Sequence, residues 1–329
     1  MKIVKAGFSI LERPERRGNL AVIEQAARTC YKSEDKIKPD GSSAVAIVNN
    51  LILNHHEAML EHGDYMFQVR PFIYEELCRS LQCIRNMGFA APMLEMSCNA
   101  GRPIVSGNIR AWRELFHHDT ASGPRFIGFF DPIYTQDCEA RDTIPNAAVK
   151  RIHYGDLTDI FDRETHIRAT VKFVIDRGVS HEFVRHRLFS FAQESTRYCN
   201  YSQNKFGNEI TFIEPFYLKR DSEAYLEWKK ACYVAEKQYF RLLNEGLTPQ
   251  EARAVLPNST KTELIVTGTL REWHHFFNLR ALGTTGAPHP QAKEVALPLL
   301  YLFQVGWPDI FPSEKGEMMH DYAVSDTLE

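Results

Sequence analysis

The sequence predicts an α+β fold, and three observations carry that expectation. Strand-like and helix-like segments are mixed along the 329 residues without a regular β-α-β alternation, which argues against a doubly wound parallel sheet. Residues 166–176 set polar His166, Arg168, Thr170 and Lys172 against apolar Ile167, Ala169, Val171 and Phe173, the period-2 pattern of a half-buried strand. The C-terminal half instead spaces its apolar residues at the helical period.

The elements follow in chain order. Residues 19–28 read as a short amphipathic helix, and Ser42 as the N-cap of another, because AVAIVNNLIL carries apolar residues at helical spacing. Both are expected to pack on a sheet. Residues 65–69 read as a short strand, and Pro71 opens a helix, since the missing N–H of proline costs nothing in a first turn. Residues 87–163 are rich in Gly, Pro, Asp and Asn and read as loops around one helix at 109–116, which suggests an insertion. Beyond the strand at 166–176, the pattern predicts a short helix at 179–186, a strand at 209–213 and a long helix at 221–244. Helices at 249–255, 262–279 and 291–305 complete the chain. No internal repeat and no low-complexity tract is visible in the sequence.

With 44% hydrophobic and 25% charged residues the chain has ordinary globular usage, so disordered, collagen-like and coiled-coil readings fall away. The 39 Lys and Arg against 42 Asp and Glu leave a net charge of −3, which offers no global field to a nucleic acid or an anionic membrane. Any anion site must be local. No apolar run approaches the roughly 18 residues of a membrane span, and the first residues lack the apolar core of a signal peptide, so a cytoplasmic protein is expected. The seven cysteines (Cys30, Cys78, Cys83, Cys98, Cys138, Cys199 and Cys232) are an odd number without CxxC pairs, which predicts reduced thiols.

Chemistry concentrates in residues 185–198, RHRLFSFAQESTRY. Its apolar residues Leu188, Phe189, Phe191, Ala192 and Tyr198 spread around a helical wheel, so the polar groups are expected to be partly enclosed. Enclosed arginines are costly without an anion, and their planar fork suits a phosphate. The alternative is an internal salt-bridge network with Glu182 and Glu194. Ser195 lacks the surrounding GxSxG elbow of a nucleophile, which leaves a phosphate ligand or the cap of a turn. A helix over 262–279 would set Arg271, His275 and Asn278 on one face, with Arg280 about 180° away, either serving an adjoining subunit or fraying before Gly283. The histidines (His55, His56, His62, His117, His118, His274, His275 and His289) invite a metal reading. However, HEAMLEH separates its two by about 240° on a helix, unlike HExxH, so no metal is expected.

RHR followed after seven residues by Ser-x-Arg, met here at Arg185, His186, Arg187, Ser195 and Arg197, resembles the signature of the flavin-dependent thymidylate synthases. Upstream AARTCYKS (26–33) and HEAMLEH (56–62), and downstream EARAVLP (251–257), LREWHHFFNLRAL (270–282) and HPQAKEVA (289–296), resemble other blocks of that family in the right order. Gln193 stands where some members carry glutamate, and Ala192 where asparagine is common. The resemblance implies one thymidylate-synthase-complementing-type domain over residues 1–329, with a central mixed or antiparallel sheet flanked by helices and an insertion at about 71–163. It also implies reductive methylation of dUMP to dTMP in a homotetramer with shared active sites. Methylenetetrahydrofolate would supply the carbon, and NADPH the electrons through FAD. Residue by residue, it implies FAD contacts at His56, Arg185, His186, Arg187, Arg271, His275 and His289. It implies dUMP contacts at Gln193, Glu194, Ser195, Arg197, Arg253 and Arg280, with Arg280 and Ser195 catalytic. Two other readings use the same residues. One is a non-enzymatic nucleotide- or RNA-binding module stacking bases on Phe189, Phe191 and Tyr198, which the net charge disfavours. The other is a cysteine-dependent pyrimidine methyltransferase with Cys199 as its thiolate.

Overall fold

The computed structural model describes residues 1–11, 18–87, 93–118, 122–138, 147–203 and 206–313. Strands β1 (Lys2–Val4) and β2 (Gly7–Leu11) lead to helices α1 (Asn19–Tyr31) and α2 (Ser42–Leu53). Gly41 is the N-cap of α2, and Ser42 is its first residue. After β3 (Asp64–Val69), α3 (Pro71–Asn86) starts on the expected proline and buries Ile73, Leu77, Leu81 and Ile84 along one stripe. Next come β4 (Leu94–Asn99), β5 (Arg102–Asn108), α4 (Ile109–His118), α5 (Pro124–Ile127) and β6 (Val149–Arg151). The chain continues through α6 (Ile160–His166), β7 (Arg168–Asp176), α7 (Arg177–Phe183), β8 (Ser190–Gln193) and β9 (Thr211–Ile213). It closes with α8 (Glu223–Asn244), α9 (Pro249–Ala252), β10 (Lys261–Thr269), α10 (Leu270–Arg280) and α11 (Pro290–Gly306).

Two four-stranded antiparallel sheets, in the orders β2-β7-β10-β8 and β4-β5-β3-β6, carry this fold, beside a parallel pair of β1 with β9. The predicted α+β class, with antiparallel sheets flanked by helices, therefore holds. On the first sheet, Trp273, Phe276 and Phe277 of α10 and Phe303 of α11 pack against Phe173 and Val266. On the second, Phe67 and Val105 pack against Leu77, Trp112 and Phe126. Among the described residues no helix is long and apolar enough to cross a membrane.

Three expectations are corrected. The helix expected over 262–279 is a strand as far as Thr269 and a helix from Leu270. β10 is a central strand buried on both faces, so its apolar run has no alternation, and periodicity does not separate such a run from a buried helix. The Thr269 side chain accepts from Glu272 N–H while Glu272 reaches back to Thr269 N–H, a capping box that fixes where the helix begins. Residues 87–163 are not only loops around a helix, because β4 and β5 form a hairpin turned by Ala100 and Gly101 at positive φ, and β6 joins the same sheet. Of the strand expected over 166–176, residues 168–176 form one while His166 ends α6, and it is more covered than expected, with Arg168 and Thr170 buried and Lys172 half-buried.

The absence of an internal repeat is the third correction's counterpart at the level of topology. Each sheet pairs a leading strand (β3 or β7) with the strand that precedes a helix (β5 or β10), and β4 or β8 lies on the far side of that strand. In the first unit Gly107 pairs with Tyr65, and Trp112 Nε1 donates to Tyr65 O at 3.3 Å; in the second Gly268 pairs with Ala169, and Trp273 Nε1 donates to Ala169 O at 3.1 Å. GNIRAW (107–112) and GTLREW (268–273) are the sequence trace of this equivalence. The fourth strands are exchanged: β2, which precedes β3, adds to β7, whereas β6, which precedes β7, adds to β3. The two six-residue segments share Gly, Arg and Trp at their first, fourth and sixth positions.

Candidate active site

Asp176 caps α7 by accepting from Val179 N–H at 2.8 Å, and the helix ends after two turns. The chain then folds back, with Arg185 N–H bonded to Glu182 O, His186 N–H to Phe183 O and Phe189 N–H to His186 O. This turn points the three residues of the RHR segment in different directions. Arg185 and Arg187 are exposed and make no ion pair with any described residue, whereas His186 is buried. Its ring lies 5.1 Å from that of Phe276 and 5.6 Å from that of His275. Burial, reinforced by the nearby Arg280 and His275, lowers its pKa to about 4, so the imidazole is neutral at physiological pH and its Nε2 accepts from Arg280 Nε at 3.2 Å. Arg280 also donates to Glu182 Oε2 at 2.7 Å and to Glu182 O at 2.9 Å.

The alternative salt-bridge network does not form: Glu182 pairs with Arg280 and Glu194 with Lys261, and neither pairs with Arg185, Arg187 or Arg197. Enclosure is the expectation that fails. Arg185, Arg187 and Arg197 are exposed because β8 is a short edge strand, and the turns at both its ends lie at the surface.

Arg185, His186 and Arg187 form one wall of a cavity of about 1060 Å³. Arg271 and His275, one turn apart on α10, stand beside them, as the i, i+4 spacing requires. Met93, Leu188 and Phe189 add apolar surface. Glu95, which also lines the cavity, accepts from the buried Arg168 at 2.6 Å, and the neighbouring Glu272 carboxyl is pushed up to about 7 by burial. Five residues implied for FAD thus converge on one cavity. The lining residues Cys78, Gln82 and Arg85 of α3 and Glu95 of β4 were marked by nothing in the sequence.

The remaining implied residues lie elsewhere. His56 lines a second cavity, of about 440 Å³, together with Gln193, Ser195 and Arg110. Ser195 Oγ accepts from Arg197 N–H at 3.2 Å, the geometry of a turn cap, and no histidine or carboxylate among the described residues is bonded to it. On either side of that turn Arg197 donates to Gln250 at 3.1 Å and Arg253 to Thr196 at 3.0 Å. Gln193 donates to Ser180 at 2.9 Å. Glu194, pointing to the other face of the chain, accepts from Lys261 at 2.8 Å and lines a third cavity, of about 310 Å³. His289 caps α11 by accepting from Gln291 N–H at 3.3 Å. His62 is buried on Thr267 at 2.8 Å, with a pKa lowered to about 4 by burial, so the two histidines of HEAMLEH serve different places. Among the described residues one group, His117, Asp137 and Cys138, brings potential metal ligands within 4.8 Å of one another.

A family model described as thymidylate synthase complementing protein matches residues 163–309. Residues 163–309 are similar to that family. They contain every implied site residue except His56. Among curated proteins, the chain is 40% identical over 115 residues to a flavin-dependent thymidylate synthase of Pyrococcus furiosus, covering 34% of this chain and 46% of that protein. It is 30% identical over 156 residues to one of Corynebacterium glutamicum, covering 45% of this chain and 61% of that protein. The chain thus spans about half the length of the curated relatives it matches. Among solved structures, a UMP/dUMP methylase PolB from Streptomyces cacaoi bound with 5-Br dUMP aligns over 94% of this chain and 95% of its own, at a TM-score of 0.41 and 16% identity.

Proposed function

We propose that the chain is a flavin-dependent thymidylate synthase of the cytoplasm, methylating dUMP reductively to dTMP with methylenetetrahydrofolate as carbon donor and NADPH as reductant through FAD. One observation carries this reading: Arg185 and Arg187 stand without carboxylate partners on the wall of a cavity of about 1060 Å³, beside a neutral His186 and an apolar surface. This donor set fits a flavin dinucleotide, with guanidinium forks for its phosphates and Met93, Leu188 and Phe189 for a ring system. FAD, when bound, supplies the hydride chemistry.

The residues of the chain bind and orient. Arg185, Arg187 and Arg271 balance phosphate charge, while His186 offers a polar ring without adding a positive charge. Ser195, Arg197 and Arg253, gathered on one turn, suit the phosphate of dUMP, with Gln193 and His56 beside it along the second cavity. Arg280, tied to Glu182, orients His186. Glu194, tied to Lys261, fixes the chain between Gln193 and Ser195.

Within one chain Gln193 and Ser195 of the dUMP set line a different cavity from Arg185, His186, Arg187, Arg271 and His275 of the flavin set, which supports a homotetramer whose subunits bring the two together. The cysteine-dependent reading gains nothing from the thiols. Cys199 is 1% exposed, and burial pushes the Cys30 thiol, in the second cavity, up to about 11. Purified protein should turn yellow on titration with FAD, bind dUMP with a change in flavin absorbance, and form dTMP when NADPH and methylenetetrahydrofolate are added. Protein that stays colourless after FAD overturns the proposal.

A further inference from the structure

The flavin cavity lies on the seam between the two equivalent units, and the units differ most at that seam. In the second unit α7 stops after seven residues and the chain turns into Arg185, His186 and Arg187. In the first, α3 begins at the corresponding place after β3 and runs on for 16 residues. The additional turns carry Gln82 and Arg85 along the cavity, in line with Cys78 at i, i+4 and i+7. One unit thus meets the cavity with a broken helix and the other with a prolonged one. Leu94 of the first unit and Phe189 of the second, which cover the equivalent glycines Gly107 and Gly268, both face the same space.

The charges on the first unit's wall are unequal. Glu95 is consumed by Arg168 at 2.6 Å. Arg85 is exposed to the cavity and makes no ion pair or hydrogen bond with any described residue. It lines the same cavity as Arg185, Arg187 and Arg271. Four guanidinium groups lining one space, with Glu272 pushed up to about 7 by burial and so only partly ionised, leave an excess of positive charge that a doubly anionic guest reduces by two.

We propose that Arg85 is an anion ligand of this cavity, binding the pyrophosphate of the dinucleotide from the first unit while Arg185 and Arg187 bind it from the second. This deepens the flavin reading and rests on it. It makes the segment between β3 and β6 half of the cofactor site, although that segment lies outside the matched family segment of residues 163–309.

Calorimetric titration of the full chain with FAD, and separately with ADP, tests the assignment on the native protein and on Arg85→Ala, Arg85→Lys and Arg79→Ala. Arg79 is exposed on the same helix but does not line the cavity, so it controls for surface charge. Arg85→Ala should weaken both ligands about tenfold, with Arg85→Lys between, because an ammonium keeps the charge but loses the fork. Arg79→Ala should bind as the native protein does, and thermal unfolding should coincide for all four proteins. Arg85→Ala binding both ligands within about twofold of native overturns the inference, since a charge-assisted contact is worth more than that. Loss equal to that of Arg79→Ala overturns it as well. Native protein that binds ADP but not FAD sinks the flavin reading alone, and the ADP series then decides on Arg85. Native protein that binds neither sinks both.

Discussion

Gly268→Ala is a sharp test of how the cavity wall is built. A Cβ at this position would lie 2.1 Å from Phe189 Cδ1, 2.3 Å from Phe189 Cε1 and 2.6 Å from Glu272 Oε2. To reach ordinary contact at 3.4 Å the Phe189 ring must withdraw by about 1.3 Å. It has little room, because it is 5% exposed and its centroid lies 4.7 Å from that of Trp273 and 6.0 Å from that of Phe276. Overpacking of this kind costs about 1–3 kcal/mol, and the smaller chain entropy of alanine in the unfolded state returns about 0.4–1 kcal/mol. The net loss is about 1.3 kcal/mol, a fall in Tm on the order of 2–3 °C. Phe189 also lines the cavity and lies 5.9 Å from the His186 ring, so FAD binding should weaken in the same variant. The first unit suggests the rescue. There a Cβ on Gly107 would meet Leu94 Cδ2 at 2.4 Å, a terminal methyl that can rotate away. Phe189→Leu combined with Gly268→Ala should therefore be more stable than the sum of the single changes by about 1 kcal/mol in a double-mutant cycle followed by calorimetry. Gly268→Ala melting within about 1 °C of native, or a cycle that closes additively, would refute the reasoning.

Other expectations follow from the same geometry. The double variant Arg185→Ala, Arg187→Ala removes exposed, unpaired charges, so stability should stay within about 0.5 kcal/mol while FAD affinity falls more than tenfold at low salt, read by fluorescence titration. Burial alone would raise the Glu263 carboxyl, but Lys261, Lys32 and Lys172 outweigh it and hold it well below the usual carboxylate range. Its stabilisation is therefore present above the unfolded value of 4.5 and is lost as pH falls below it, so Glu263→Gln should cost about 3 kcal/mol near neutrality, with the difference shrinking in acid, by urea unfolding at several pH values. Glu272 has the opposite sign: burial raises its carboxyl from 4.5 to about 7, so native stability declines as pH rises through that window, and Glu272→Gln, which keeps a capping side chain, should flatten the decline. Cys199→Ala should retain dTMP formation, whereas a thiolate mechanism requires its loss, measured by product analysis.

Legibility in the sequence followed physical rules. Helices with one apolar stripe or a marked start, such as α3 opening on Pro71 and α8 following Ser222, were readable because their signals are local. β10 was not, because a strand covered on both faces has no alternation to read. The β4–β5 hairpin was hidden by its Gly, Pro and Asn content, which marks turns and hides the short strands between them. At the site, the fixed spacing from Arg185 to Arg197 and the helical spacing of Arg271 and His275 carried across, since both reflect short-range geometry. Separation of Gln193 and Glu194 onto opposite faces follows from strand alternation. What no local pattern conveys is which distant segment completes a wall: Arg85 lies 100 residues before Arg185 and carries no motif of its own.

The exchange of β2 and β6 between the sheets explains why the cavity can be a fixed object although its walls come from separate units. Each unit lends its preceding strand to the other, so neither sheet reaches four strands alone, and the borrowed strand gives β3 and β7 a neighbour on their second side. Sliding one unit against the other would then break two ladders of backbone hydrogen bonds instead of loosening a side-chain interface. The seam is thereby held as firmly as a sheet, and residues from the two units, such as Glu95 and Arg168, can sustain a bond of 2.6 Å at the cavity lining. A rigid seam also accounts for the divergence of the two units. Once the frame is set by the shared glycine, arginine and tryptophan of GNIRAW and GTLREW, the helix that follows the leading strand is free to differ, breaking to present Arg185 and Arg187 in one unit and extending toward them in the other.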